Sequence, residues 1–243
     1  VLYEYFHLDT TKQVLTPHEI TGGTFFNLKY QEDAVRLGIE TIRKHNGAII
    51  ADVVGLGKSI IGATVARNLD LRTLIIAPPH LVKQWEDYSI AFGVRGTMVR
   101  SRGNMKQILE DYRQMHNSGE EWLVVVDEAH GFRNEYIKDY AILHELCQGN
   151  KVLLLTATPF NNRPEDIYAM IKLFQIPSRS TLQTVSSLGA EFAHWIEVYK
   201  ELRSKQRKRA IPESEAKIAI DSIGQHIRKI IEPLVIRRSR IDL

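Results

Sequence analysis

The chain has 243 residues, of which 44% are hydrophobic and 25% charged, a balance that gives a globular fold with a full core and excludes a disordered or collagen-like chain. Its net charge of +3 is too small to name a partner by itself, and the single cysteine, Cys147, excludes an intrachain disulfide and fits a reducing compartment. No apolar run approaches the roughly 20 residues of a membrane span, and "VLYEYFHLDT" lacks the basic-then-apolar order of a signal sequence; without an initiator Met, the chain reads as a piece of a longer protein.

Residues 1–24 read as an N-terminal extension. From there, short apolar runs alternate with longer amphipathic ones. "GAIIADVV" (47–54), rich in small and β-branched residues, predicts a buried strand, and "KSIIGATVARNL" (58–69) the helix that follows. "RTLIIAPP" (72–79) is a strand stopped by two prolines, and residues 80–92 a helix. A short strand (96–101) precedes a helix over 104–116, with Asn104 as its N-cap. "EWLVVVD" (121–127) is a strand, and 134–148 a helix ended by Gly149-Asn150. Cys147 falls in that helix as a buried residue. "KVLLLTAT" (151–158) is a strand, and 163–174 a helix with Pro164 in its first turn.

Strands alternating with helices imply a parallel sheet covered on both faces, an α/β domain over 25–176. Beyond it the pattern changes. Residues 190–209 and 213–231 are helical with no strand between them, so 177–243 reads as a helical appendage. From Lys200 onward, 12 Lys/Arg face 6 Asp/Glu. Such an excess marks either a nucleic-acid surface or, more commonly, a solvated helix face. Phe192, Trp195 and Tyr199 have helical core spacing.

In open parallel sheets ligands bind at the carboxyl ends of strands, and three motifs fall there. "GLGKS" joins the strand 47–54 to the helix 58–69. Gly55, Leu56 and Gly57 would bring backbone N–H groups to phosphate oxygens, Lys58 would reach the outer phosphates, and the Ser59 hydroxyl would ligate Mg²⁺. The strict phosphate-loop pattern needs a glycine at position 52, where this chain has Asp52. "LVVVDEAH" delivers Asp127 to the sheet edge to hold the metal, with Glu128 beside it to activate water. "LLLTATPFNN" puts Thr156 and Thr158 at a third strand end, where turn and capping chemistry is the plainer reading.

The order "LKYQ", "DVVGLGKS", "IIAPPHLVKQW", "VVVDEAHGFRN", "LLLTATPFNN" resembles the first RecA-like lobe of superfamily II helicases, and among them the Snf-type DNA translocases. An acidic residue replaces the first loop glycine in that family. "IIEPLVIRRSRIDL" is similar to the segment those proteins carry before their second lobe, so the likeness covers residues 25–243. It implies that the chain binds ATP and Mg²⁺, with Gln31 on adenine, Lys58 on phosphate, Ser59 and Asp127 on the metal, and Glu128 on water. His130, Thr156 and Thr158 would couple hydrolysis to lobe movement. Pro78 to Trp85 would lie on a nucleic-acid face, with Pro78, His80, Lys83 and Asn162 as contacts, and Arg237 and Arg238 would anchor the lobe junction.

The partners so implied are double-stranded DNA and a second RecA-like lobe of the same full-length chain, in a monomeric protein without a membrane. Its location would be the cytoplasm, at the nucleoid, or the nucleus. A motor of a restriction or defence nuclease, and a non-catalytic nucleotide-binding scaffold, are the alternatives. This chain departs from the family at Gly131, where many relatives have a basic residue.

Overall fold

Alternation with a period of two along each strand decides which side of the sheet a residue faces. The computed structural model describes residues 13–51, 57–117, 119–157 and 163–237. Among these, six strands form one sheet: β1 (Gly47–Ile50), β2 (Arg72–Ala77), β3 (Met98–Ser101), β4 (Trp122–Val126), β5 (Lys151–Leu155) and β6 (Val235–Ile236). Their order is β3-β2-β4-β5-β1-β6, and every pairing is parallel.

On one face Ala48, Ile50, Ile75, Ala77, Leu123, Val125, Leu153 and Leu155 meet three helices: α2 (Lys29–His45), α3 (Lys58–Leu69) and α4 (Val82–Ala91). A short helix, α1 (Pro17–Ile20), closed by a capping box between Thr16 and Glu19, packs outside α3. On the other face Ile49, Leu74, Ile76, Val124, Val126, Val152 and Leu154 meet α5 (Met105–Met115), α6 (Lys138–Cys147) and α7 (Pro164–Lys172). Both faces are therefore dry, as a parallel sheet requires.

The appendage consists of α8 (Leu188–Arg207) and α9 (Glu213–Ile231). Phe192 of α8 stacks on Tyr168 of α7 with centroids 4.5 Å apart, and Ile223, Ile227, Ile230 and Ile231 of α9 join the same core. Phe192 and Tyr199 are buried, as their spacing predicts, and Trp195 packs beside them. Cys147 is buried at the end of α6, where desolvation pushes its thiol pKa far up.

The helices α3 and α9 have the bounds their sequences predict, and Asn104 caps α5 by accepting from Gln107 N at 3.4 Å. Two expectations need correction. The helix expected over 134–148 begins only at Lys138, because Asn134 Oδ1 accepts from Tyr136 N at 3.0 Å and holds a local turn instead. After α9 the chain does not stay apart from the sheet: Glu232–Leu234 makes one tight turn, and β6 pairs with β1.

A close approach fixes where β1 starts. A Cβ on Gly47 would lie 2.4 Å from Phe174 Cγ. Gly47→Ala is therefore expected to cost about 1–3 kcal/mol through overpacking, read by urea unfolding. Gly224, inside α9, has no atom within 4 Å of such a Cβ, so Gly224→Ala is expected to stabilise by about 0.5–1 kcal/mol.

Candidate nucleotide-binding site

Parallel pairing brings the carboxyl ends of β1 and β4 to one edge with β5 between them, about 10 Å apart at two strand spacings. Gly57 enters α3 with φ +74°, a left-handed conformation that suits glycine. A Cβ there would lie 2.5 Å from the side-chain nitrogen of Gln31, so the bare glycine lets the buried Gln31 amide sit against the helix start. No side chain caps α3, which leaves its first N–H groups directed at the edge, where an anion is favoured. Lys58 opens that helix at 8% exposure, and Ser59 follows half-buried.

Asp127 follows β4 at only 3% exposure. Its Oδ2 accepts from Trp85 Nε1 at 2.8 Å, and its Oδ1 accepts from Glu128 N at 2.8 Å. Burial raises the Asp127 pKa above the ordinary carboxylate range, while the Trp85 and Glu128 donors and the Lys58 charge oppose the rise. Trp85 is itself buried, and its ring packs over Gly62 of α3, where a Cβ would meet it at 3.0 Å. One indole thus spans α3 and the buried carboxylate. Trp85 therefore lies inside the fold and not on an outer nucleic-acid face.

Glu128 has φ +51° and ψ +48°, a left-handed conformation at a residue with a Cβ, which costs about 1–2 kcal/mol. That turn projects its carboxylate beside His130, with Oε2 3.0 Å from Nδ1 at angles short of a hydrogen bond. Next to them, a Cβ on Gly131 would lie 2.5 Å from Arg102 Nη1. Arg102, from the turn after β3, lays its guanidinium where a side chain at 131 would stand, with Nη1 buried and without a hydrogen-bond partner among the described residues. The positive charge absent at Gly131 thus arrives from another strand.

Thr156 is fully buried at the end of β5 and donates its N–H to Ile50 O at 3.0 Å, tying β5 to β1. Pro78 is buried, and His80 is exposed on the turn before α4. Lys83 is exposed, and its ammonium pairs with Asp87 at 2.8 Å on its own helix. Gly55, Leu56, Thr158, Asn162 and Arg238, with Asp52, lie outside the described residues. Sequence reasoning missed Trp85 as the donor to Asp127 and Arg102 as the cation over Gly131. A tryptophan seven residues after a strand-stopping proline was the available signal for the first; nothing local marked the second.

The all-parallel sheet, the glycine-to-helix turn and the buried carboxylate two strands away are the architecture of a RecA-like lobe. The chain belongs to the SNF2-related domain family, which matches residues 103–243; residues 26–161 also match the family described as Type III restriction enzyme, res subunit. An uncharacterized ATP-dependent helicase, YqhH, of Bacillus subtilis is 31% identical over 56% of this chain and 28% of the relative. The ATP-dependent DNA helicase DDM1 of Arabidopsis thaliana is 24% identical over 92% of this chain and 31% of its own length. The SWI2/SNF2 ATPase core of Sulfolobus solfataricus, solved in complex with dsDNA, superposes with TM-score 0.64 at 21% identity, over 93% of this chain and 47% of that one. The chain thus spans less than a third of those two relatives and about half of the solved core. Among the described residues, no helix is long and apolar enough to cross a membrane.

Trp85→Phe keeps a ring over Gly62 and removes the donor to Asp127. The expected loss is about 1–3 kcal/mol at pH 7 in urea unfolding. A raised carboxylate pKa means that the folded state holds its proton longer, so this group's contribution falls as pH rises from about 4 toward the folded pKa. Losing the donor raises that pKa further, so the deficit of Trp85→Phe is expected to shrink toward pH 4.

Proposed function

We propose that this chain is the ATP-binding lobe of a DNA-dependent ATPase that moves along double-stranded DNA, part of a longer protein whose second lobe completes the site. The observation that carries the reading is the buried, doubly hydrogen-bonded Asp127 facing an uncapped helix start that carries Lys58 and Ser59. The SNF2-related match extends to residue 243 and includes the appendage, whereas the restriction-subunit match stops at 161, which favours a translocase over a restriction motor.

ATP and Mg²⁺ fit the residues present. Asp127 and Ser59 offer oxygen donors, as a hard cation prefers, and the bare Gly57 lets a phosphate approach the backbone. Bound Mg²⁺ would neutralise phosphate charge. Lys58 holds the outer phosphates and, with the first N–H groups of α3, orients them. Gln31, buried beside Gly57, sits close to the helix start and offers both a donor and an acceptor to an adenine edge. Glu128 takes a proton from the attacking water, its strained turn keeping the carboxylate free of the core. His130 contacts that carboxylate and is partly exposed, so it suits a link between hydrolysis and a docked second lobe. His80, Lys83 and the residues beyond β5, including Asn162, serve the nucleic-acid side, whereas Pro78 is buried and does not reach it. Lys83 must exchange Asp87 for a phosphate to do so.

In the complete protein, duplex DNA is expected to stimulate ATP turnover. Lys58→Ala is expected to lose nucleotide binding, and Glu128→Gln to keep binding while turnover falls by about 10²–10⁴. Full activity in both variants refutes the site, and stimulation by RNA alone refutes the DNA partner. Turnover by the 243-residue chain alone is expected to fall short of the complete protein by about 10³–10⁵, the worth of an arginine supplied by a second lobe.

A further inference from the structure

The basic run at the end of α8 is not simply solvated. A cleft of about 620 Å³ lies between that helix end and the start of α7, and Arg163, Lys200, Arg203, Arg207 and Lys208 line it, with Glu165 as its only acidic residue among the described residues. Four more cations than anions therefore face one cleft, in a chain whose whole net charge is +3. Basic residues at a helix C-terminus suit its dipole, which explains Arg207 and Lys208 alone. It does not explain why Arg163, from a separate element, converges on them.

The cations are only partly neutralised. Lys200 reaches Glu165 at a loose 3.9 Å, and Arg203 is spent on Tyr199 Oη and Gln206. Arg163, Arg207 and Lys208 are exposed, and no ion pair or side-chain hydrogen bond engages them among the described residues. A concave surface of one sign focuses its field and raises the local concentration of a polyanion.

The cleft also continues the catalytic edge. Arg163 opens α7 just after the carboxyl end of β5, and α7 packs against the turn Ala129–Phe132 that follows Glu128. Arg133, at the end of that turn, and Arg163 both act on Asp166 of α7, opposing the pKa rise that burial imposes on it. Cations of two elements, Arg133 and Arg163, thus flank Asp166 between the Glu128 turn and the appendage.

We propose that this cleft is a second nucleic-acid contact, holding the phosphodiester backbone of a DNA duplex through Arg163, Lys200, Arg207 and Lys208. The proposal rests on the DNA-translocase reading for its partner, but its test needs no ATP. Binding of a fluorescein-labelled 30-base-pair duplex is followed by anisotropy from 50 to 300 mM KCl. The Lys200→Gln, Arg207→Gln, Lys208→Gln triple variant is compared with Arg36→Gln, Arg43→Gln, Lys44→Gln on α2, which has the same net charge. The cleft variant is expected to lose about 2–3 from the slope of log K against log salt, and at least about tenfold in affinity at 0.1 M. The α2 variant should keep the parent slope. Arg163→Gln is expected to lose about 1.

Equal slopes in parent and cleft variant overturn the proposal, as does absence of duplex binding by the parent. Loss of polyglutamate binding with an unchanged duplex slope overturns it in favour of an acidic protein partner. A shifted slope in a protein that turns over no ATP upholds the cleft and sinks the ATPase reading; turnover with an unchanged slope does the reverse.

Discussion

Every strand of the sheet runs in the same direction, and the chemistry follows from that. A parallel strand cannot be reached by a tight turn, so each connection crosses a face, in most cases as a helix, and returns to the starting edge. All strand ends, and the starts of the helices that follow them, then gather on one side. Gly57, Asp127 and Thr156 arrive there from β1, β4 and β5 without long loops. The same crossing covers both faces, which is why most strand residues are buried, the edge strand β3 excepted. It also obliges α7 to lie beside the Glu128 turn, and thereby places the appendage that stacks on α7 close to that edge.

The edge is stabilised less than the sheet beneath it. Asp127 is a carboxylate taken out of water, held by two donors and a nearby ammonium, and its raised pKa shows that the compensation is partial. Glu128 holds a left-handed backbone, and Arg102 buries a donor without an acceptor. Each of these costs stability. All three lie where β3 and β4 end, although the apolar layer beneath has an unpartnered donor of its own in the buried Trp122 Nε1. The core supplies the margin: Trp122, Leu123, Val124, Val125 and Val126 of the strand leading to Asp127 are all fully buried.

Much of the fold was legible because its signals are local. The bounds of α3 follow from Gly57 and Asp70, both left-handed at its two ends, and those of α9 from Pro212 and the isoleucine stripe ending at Ile231. The strand 72–79 comes out shorter, ending at Ala77, since composition does not mark where pairing stops; the ends of the expected strands 47–54 and 151–158 lie outside the described residues. The turn at Asn134 defeats helix periodicity through one side-chain hydrogen bond. Two residues of β6 are too few for any period to register. The placement of Lys58 and Ser59 at a helix start and of Asp127 and Glu128 just past a strand was legible because strand-to-turn-to-helix patterns are local. Trp85 joins Asp127 across 42 residues, and Arg102 reaches Gly131 from another strand end; such pairs exist only once the chain has folded. Lys83 read as a nucleic-acid contact, and the folded helix pairs it with Asp87 four residues on.

The edge strand β6 has a mechanical meaning. Val235 and Ile236 pair with Ile49 and Ile50, and Ile236 O accepts from Ala51 N at 2.8 Å. Ala51 is the last described residue before the loop that leads to Gly57. The chain at Ile236 therefore leaves the sheet beside Ala51. A pull along the chain at Arg237 loads the β1–β6 hydrogen bonds in shear, side by side, rather than peeling them one at a time. Tension there is delivered first to β1, so the exit of the chain bears on the strand that precedes Gly57 and the start of α3.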